Sequence, residues 1–283
     1  MSRELPSFDL VVATVGRKNE LGRFLDSVEA QGYEPLRVLV VDQNDDERVS
    51  EIVRGRGVGL EHVHSERGLS RARNAGLRLV DADLVAFPDD DCVYPVGLLV
   101  RVAERFASDP ALDGLTGRAE DAGGRSSESW ETDPATLTDD NLWNRVNAAT
   151  IFLRRAVVER LGAFDEGLGL GSTEPWSSGE EIDLLIRAVR GGARIEYDPT
   201  LVVTHPVIAN ETSIGYRDGA TIGYLLRKHD YPARVVFRMF LRPVGGALAS
   251  VVRLDGGRAR YHLATLRGRI QGYRRTSSSN NTP

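Results

Sequence analysis

The sequence predicts an α/β protein built on a mainly parallel, Rossmann-like sheet flanked by helices. Two observations carry that expectation. Short apolar runs alternate with helical patterns over the first hundred residues, and this alternation implies βαβ units. Three of the runs stop at polar or acidic residues, namely Thr14, Asp42 and the Asp89, Asp90, Asp91 triplet. In parallel sheets ligands bind beyond the carboxyl ends of the strands. The length of 283 residues, 41% hydrophobic and 27% charged, suits one large domain or two small ones. It excludes a wholly disordered chain, a collagen-like fibre and a polytopic membrane protein.

Residues 8–13 (FDLVVA) read as a buried strand, followed by a polar turn and a helix over 20–30. Residues 36–41 (LRVLVV) give a second strand that ends at Asp42. A helix over 47–54 and a short strand around 60–63 follow. Residues 70–79 read as a helix with Ala72, Ala75, Leu77 and Leu79 at apolar positions. A fourth strand over 84–87 closes on Pro88 and three carboxylates. Residues 119–141 are rich in Gly, Ser, Asp and Thr and read as a long loop. A strand is expected over 148–153 and a short helix over 156–161. The glycine-rich segment 165–179 (DEGLGLGSTEPWSSG) reads as a loop before a helix over 180–190, which Gly191 and Gly192 end. Strands over 193–197 and 201–204 follow, the second leading to His205. Beyond Thr212 the chain reads as helices and closes in a polar tail over 276–283 with the composition of a disordered segment.

Charge is unevenly spread. Residues 1–226 carry 24 Lys and Arg against 39 Asp and Glu, a net −15, whereas 227–283 carry 12 against 2, a net +10. An acidic body argues against nucleic acid as a partner, and a basic tail points to an anionic one. The lone Cys92 excludes a disulfide framework and a multi-cysteine zinc site, and fits a cytoplasmic location. The first residues hold no signal-peptide pattern. The apolar run over 243–252 is far shorter than the ~18 residues that span a bilayer.

The triplet of carboxylates is the strongest local signal. Adjacent carboxylates repel one another, so a site that keeps them supplies a cation. Their oxygens suit a hard divalent ion such as Mg²⁺ or Mn²⁺. Alternate residues of an extended chain point the same way, so Asp89 and Asp91 are placed to share a ligand. A solvated acidic turn is the competing reading, and the position after a buried strand disfavours it. The imidazole of His205, at another strand end, would complete a carboxylate-rich Mn²⁺ site. Glu180, Glu181 and Asp183 occupy the first turn of a helix. There they either complement the helix dipole or include a general base beside a flexible loop. Arg67, Arg71 and Arg73 form a basic cluster suited to phosphate oxygens or to surface ion pairs. No G-x-G-x-x-G follows the first strand, and no Walker lysine motif or G-x-S-x-G elbow occurs.

Taken in order, Thr14, VVDQN at 40–44, GLSRARNAGL at 68–77, FPDDDC at 87–92, FDEGLGLG at 164–171, GEEIDLLIRAVRGG at 179–192 and VVTHP at 202–206 closely resemble the family-2 glycosyltransferases of the GT-A fold. That family is inverting and uses nucleotide-sugar donors. The resemblance runs from about residue 8 to about 230. It implies that Thr14 and Asp42 face the nucleotide and that Arg73 contacts the donor, with Arg71 and Asp90 in the same donor-binding set. Asp89 and Asp91 match the D-x-D motif that holds the ribose and the metal on the diphosphate. His205 matches a recurrent late metal ligand. The Gly179, Glu180, Glu181 segment resembles G-E-D, whose last carboxylate is the usual base; here that is Glu181, with Glu180 and then Asp183 as alternatives. VVDQN departs from the second acidic residue of many members. The resemblance implies a UDP-, GDP- or dTDP-sugar donor, Mn²⁺ or Mg²⁺ as cofactor, and a glycan or lipid-linked acceptor in cell-surface synthesis. Trp176 in the mobile-looking loop is the candidate sugar-stacking residue of the acceptor side. The competing functions are a GT-A sugar nucleotidyltransferase and a non-catalytic carbohydrate-binding module on the same fold.

The expected organisation is a catalytic GT-A domain over 1–230, a basic helical extension over 231–275 and the tail. In the extension Arg234, Arg238 and Arg242 recur at i, i+4 and i+8 beside Val235, Phe237, Met239 and Leu241. Pro243 with Gly245 and Gly246 is expected to bend or break that helix. Helices packed on protein or on a second copy of the chain are one reading. A peripheral anchor on the inner, anionic face of a membrane is the other.

Overall fold

The computed structural model describes residues 5–126, 129–207 and 211–275. The chain runs β1 (Phe8–Thr14), α1 (Asn19–Glu29), β2 (Leu36–Asp42), α2 (Arg48–Val53), β3 (Gly59–His64), α3 (Leu69–Leu77), β4 (Leu84–Ala86), α4 (Leu98–Ser108), β5 (Gly114–Glu120), β6 (Ala135–Thr136), β7 (Phe152–Arg154), α5 (Arg155–Leu161), α6 (Glu180–Arg190), β8 (Ile195–Thr204), α7 (Thr212–Lys228), α8 (Ala233–Val252) and α9 (Gly256–Arg274). It forms two compact units. The first holds residues 1–164 and 184–207, and the second 165–183 and 208–283. The tail over 276–283 lies outside the described residues.

The first unit is organised by one eight-stranded sheet in the order β3-β2-β1-β4-β7-β5-β8-β6. β1 pairs in parallel with β2 and β4, β2 with β3, and β5 with β8. β7 runs antiparallel between β4 and β5, and β6 antiparallel at the edge. The sheet is therefore parallel in its first half and mixed beyond β4. β1 is buried on both faces, which explains its unbroken apolar run. Leu10 and Val12 join Phe24 and Leu25 of α1 and Leu99, Val102 and Phe106 of α4 in one core. On the other face α3 approaches so closely that a Cβ on Gly76 would lie 2.5 Å from Val11 Cγ1 and 3.1 Å from Val41 Cγ2. The start of β1 is pinned by the buried Asp9. Its carboxylate takes Arg37 Nε and Nη2, both at 2.9 Å, and the amides of Asp81 and Ala82. Burial alone would raise the Asp9 pKa, but Arg37 and the two amides outweigh it and hold it below the ordinary value.

Six elements differ from expectation, among them β6, a two-residue strand inside the stretch 119–141 expected to be a loop. Residues 148–150 form a 3-10 turn, and the strand is confined to Phe152–Arg154. α4 and β5 fill a stretch that the sequence left unassigned. β8 is one strand through Pro199 rather than two. Pro is tolerated at sheet irregularities, and here the β5–β8 register shifts between Thr116 and Arg118, while Arg118 Nε donates to Pro199 O at 2.6 Å. α8 also continues through Pro243, Gly245 and Gly246. An interior proline costs roughly 3 kcal/mol, and packing on α9 offsets it: Pro243 is buried, and a Cβ on Gly246 would lie 2.5 Å from His262 Cε1.

The second unit is held by backbone contact between α7 and α9. Gly219 faces the Thr265 carbonyl, Gly223 that of Arg269, Gly268 that of Tyr216 and Gly272 that of Ala220. A Cβ at any of these four would collide with the facing backbone oxygen. Gly272→Ala is therefore expected to destabilise this unit by about 1–3 kcal/mol or more through overpacking. Gly245→Ala, whose Cβ would meet open space, is expected to stabilise α8 by about 0.5–1 kcal/mol. Thermal melts of the two variants should shift in opposite directions, and equal shifts would contradict this packing.

Candidate functional site

The three carboxylates sit where two β-bridges fix them. Asp89 pairs in parallel with Ala13, at the end of β1, and Val93 pairs antiparallel with Thr204, at the end of β8. Val93 N donates to Thr204 O at 2.8 Å, and Thr204 N to Val93 O at 3.1 Å. These bridges bring His205 onto the triplet. Its Nε2 lies 3.5 Å from Asp89 Oδ2 and 3.3 Å from Asp91 Oδ1. The triplet is a turn rather than the extended chain the sequence suggests: Cys92 N donates to Asp89 O at 3.2 Å, and within that turn Asp90 is aimed at Thr14 and Arg17 rather than at His205. It is buried, accepts from Thr14 Oγ1 at 2.7 Å, and pairs with Arg17 Nη1 at 2.6 Å.

The charges are balanced locally. Arg17 Nη1 also reaches Asp91 Oδ2 at 2.7 Å, and the buried Arg73 places Nη2 3.1 Å from Asp89 Oδ1. At an effective dielectric of about 20, unit charges 4 Å apart interact by about 4 kcal/mol, so three carboxylates need these cations to coexist. Burial lifts the pKa of Asp90 above its ordinary value despite Thr14 and Arg17. For Asp91 burial also pushes up, but His205 and Arg17 prevail and its pKa is lowered. Burial alone would deprotonate His205, yet hydrogen bonding to Asp89 and Asp91 and their charges raise its pKa to about 10. Two carboxylate oxygens thus converge on one imidazole nitrogen. The donor set of two carboxylates and one imidazole fits Mn²⁺ or Mg²⁺.

Arg73 is held from behind by the Phe164 ring, 5.6 Å from its guanidinium carbon, and Asn74 exchanges two hydrogen bonds with the Phe164 backbone. Arg71 pairs with Glu66 at 2.7 Å. Asp42 is fully buried at the end of β2. Its Oδ1 accepts from Asn44 N and Nδ2, and its Oδ2 lies 3.0 Å from His62 Nε2.

In the second unit, Gly179 adopts φ +77°, and a Cβ there would strike Thr221. This turn starts α6. Of the acidic first turn, Glu180 and Asp183 are buried, while Glu181 is half-buried. Asp183 Oδ1 is taken by Lys228 Nζ at 2.6 Å and His229 Nε2 at 2.8 Å, an arrangement that fixes α6 to α7 and lowers its value as a base. Trp176 does not offer an open face for a sugar. It is 1% exposed and stacked on Tyr224, with centroids 4.4 Å apart and planes within 4°. A large apolar ring in a Gly-rich loop gains more from burial than from exposure.

The sequence reading overlooked Arg17, His62, His64, Lys228 and His229. For Arg17 a signal was present, since a basic residue stands three positions past the end of β1. The others depend on which strands and helices become neighbours.

A family model described as glycosyl transferase family 2 matches residues 9–161. A pre-mycofactocin glycosyltransferase of Mycobacterium tuberculosis is 28% identical over 225 residues, covering 73% of this chain and 44% of its own length. The chain thus spans less than half of that relative. The glycosyltransferase AglE of Haloferax volcanii is 24% identical over 218 residues, covering 73% of this chain and 69% of its own. Among solved structures, a mannosyltransferase from Pyrobaculum calidifontis in complex with GDP-Man and Mn²⁺ superposes with a TM-score of 0.69 at 16% identity, over 95% of this chain and 88% of that one. TarS from S. aureus in complex with UDP gives 0.61 at 16% identity, over 92% and 90%. These structures share the fold, an α/β GT-A architecture with a helical C-terminal region. With the family model spanning more than half of the sequence, the chain belongs to glycosyl transferase family 2.

Proposed function

We propose that the protein is a metal-dependent, inverting glycosyltransferase that moves a hexose from a nucleoside-diphosphate sugar to an acceptor hydroxyl. The observation that carries this reading is the convergence of Asp89 Oδ2 and Asp91 Oδ1 on His205 Nε2. The relatives' names and the GDP-Man and UDP bound to solved neighbours support a sugar donor over the nucleotidyltransferase alternative. In this reading residues 1–230 carry catalysis and 231–275 form the extension.

Asp89, Asp91 and His205 would hold Mn²⁺ or Mg²⁺. When bound, the ion would offset the charge that develops on the leaving diphosphate. Thr14, Asp42, Arg71, Arg73, Asp89 and Asp90 form the donor side. Arg73, buried and braced by Phe164, supplies a fixed fork for a phosphate or ribose oxygen. Asp90 acts through Thr14 and Arg17 and keeps the β1 turn in place. Glu181 is the base that takes the proton of the acceptor hydroxyl as it attacks the anomeric carbon. Its partial exposure favours it over Glu180 and over Asp183, which Lys228 and His229 occupy.

The extension supports docking on anionic lipid, next to a lipid-linked acceptor at the inner face of a cytoplasmic membrane. The apolar run over 243–252 alone is too short to span a bilayer, but because the helix continues through Pro243, α8 as a whole is long and apolar enough, by length and composition, to cross a membrane, with 28% of its apolar window buried. Phe237, Leu241, Leu248, Val251 and Val252 are exposed on it, and Leu254 follows at 93% exposure. Arg234, Arg238 and Arg242 lie on the same helix. Each Arg near an anionic surface adds about 1 kcal/mol, and an interfacial helix with these features binds reversibly.

Asp91→Asn should lower transfer about 100-fold or more with the fold retained by thermal melt, because the ion loses a charged ligand. His205→Ala should lose less and recover in part at higher Mn²⁺; identical Mn²⁺ dependence in both variants and the parent protein would remove the shared ion. Glu181→Gln keeps shape without basicity, so kcat should fall about 10²–10⁴-fold with donor affinity nearly constant. A larger kcat loss in Glu180→Gln would transfer the role to Glu180. The double variant Phe237→Asp, Leu241→Asp should co-sediment less with anionic vesicles than the parent, and 0.5 M salt should weaken the parent's binding. Equal pelleting of parent and variant would leave α8 as structure alone.

A further inference from the structure

We propose that Asp42, His62 and His64 form a second cation site, separate from the carboxylate triplet, which takes a transition ion of the zinc, cobalt or copper class. The parallel register of β2 and β3 sets Asp42 opposite His64 and Val40 opposite His62. Residues two apart on a strand share a face, so both imidazoles and the carboxylate project from the same side of two hydrogen-bonded strands. His62 Nε2 lies 3.0 Å and His64 Nδ1 4.0 Å from Asp42 Oδ2. One ligand atom from each of the three residues falls within 4.8 Å of the others. The rings stand 4.8 Å apart, tilted by 45°.

A four-coordinate ion with bonds of about 2.0–2.2 Å needs donor atoms roughly 3.3–3.6 Å apart. His62 Nε2 and Asp42 Oδ2 are already closer than that, at 3.0 Å, and the third donor, at 4.0 Å, is carried on an exposed side chain. His64 is 68% exposed, so its ring can swing inward without any shift of the strand. Asp42 is preset. Its Oδ1 accepts from Asn44 N at 2.9 Å and Asn44 Nδ2 at 2.7 Å, which turns Oδ2 to the histidines. Such outer hydrogen bonds to a ligating carboxylate are what orient ligands in built metal sites. The exposed side of His64 leaves a position for water.

Chemistry separates the two sites. Two imidazoles and one carboxylate suit zinc, cobalt or copper, whereas Asp89 and Asp91 suit hard ions. Space separates them too. β1 lies between β2 and β4 in the sheet, and strands stand about 4.8 Å apart, so the sites are on the order of 10 Å apart or more. If Asp42 also faces the nucleotide, which rests on the donor reading above, the ion and the nucleotide compete for one carboxylate.

The test is Co²⁺ titration of the full chain, followed by visible absorption. One equivalent should give the intense bands of a four-coordinate ion with nitrogen ligands. Zn²⁺ should abolish them and millimolar Mg²⁺ should not. His64→Ala and His62→Gln should each weaken binding at least about 10-fold, while Asp91→Asn should leave the bands in place. Bands that persist in both histidine variants, or that vanish in Asp91→Asn or with Mg²⁺, would overturn the site. Uridine or guanosine, which carry no diphosphate to chelate the ion, should raise the Co²⁺ concentration needed. Bands that follow the histidines but ignore both nucleosides would keep the site and overturn the donor role of Asp42.

Discussion

Three consecutive carboxylates at the end of a buried strand repel one another, and the first unit is arranged around the cations that let them stay. Arg17 reaches two of them from the β1 turn, Arg73 a third from α3, and His205 lies between Asp89 and Asp91 from the end of β8. Each cation belongs to a different element, so the register of each element matters. A slip of one residue in the Val93–Thr204 bridge would turn His205 away, because side chains alternate along a strand. The antiparallel β7 has a part in this. It separates β4 from β5, which carries β8 beside it, so the mixed half of the sheet is what delivers a late residue to an early strand end.

Charge compensation also sorts the carboxylates by what they can do. Asp90, turned inward onto Thr14 and Arg17, is a structural member of the triplet. Asp89 and Asp91 both face the His205 imidazole. Asp183 resembles Asp90: wholly buried, with Lys228 and His229 on one oxygen. In that pair burial pushes the Lys228 pKa down, but Asp183 and Asp165 together raise it, so the ammonium stays in place across the neutral range. Glu181, one residue after Glu180 and two before Asp183, retains access to solvent. The same helical turn thus separates an anchoring carboxylate from a solvent-accessible one by the faces they occupy.

The sequence made the first half of the sheet legible because its strands are continuous apolar runs that stop at polar residues. The runs ending at Thr14, Asp42 and the triplet gave strand, boundary and candidate site together. β5 was hidden by its composition: GLTGRAE contains two glycines and two charges. It is nevertheless a central strand, because Gly114 and Gly117 admit Leu153, Ile195 and Leu201 at close range. Pro199 and Pro243 read as breaks, yet each lies inside a continuous element, since a register shift and a helix partner absorb the missing N–H. Trp176 read as a sugar platform, and only its partner Tyr224, far away in sequence, makes it an anchor. The proximity of His62 and His64 to Asp42 was equally hidden, because it depends on which strand borders β2.

The packing of the second unit explains why so much of α8 is left exposed. α7 and α9 meet glycine to backbone, at Gly219, Gly223, Gly268 and Gly272. Close approach of this kind fills the interface with main chain and needs few large side chains. One side of α8 is buried through Val235, Met239, Pro243 and Ala247, while Phe237, Leu248 and Val251 on its other side remain at the surface. The same closeness costs something elsewhere. Arg269 is buried beside this contact, and among the described residues its Nε and Nη1 have no hydrogen-bond partner. Burial, helped by Arg242, lowers its pKa to about 10, so it remains charged at neutral pH. The unit thus holds one guanidinium in its interior and leaves Arg234, Arg238 and Arg242 exposed on the same helix as Phe237, Leu241 and Leu248.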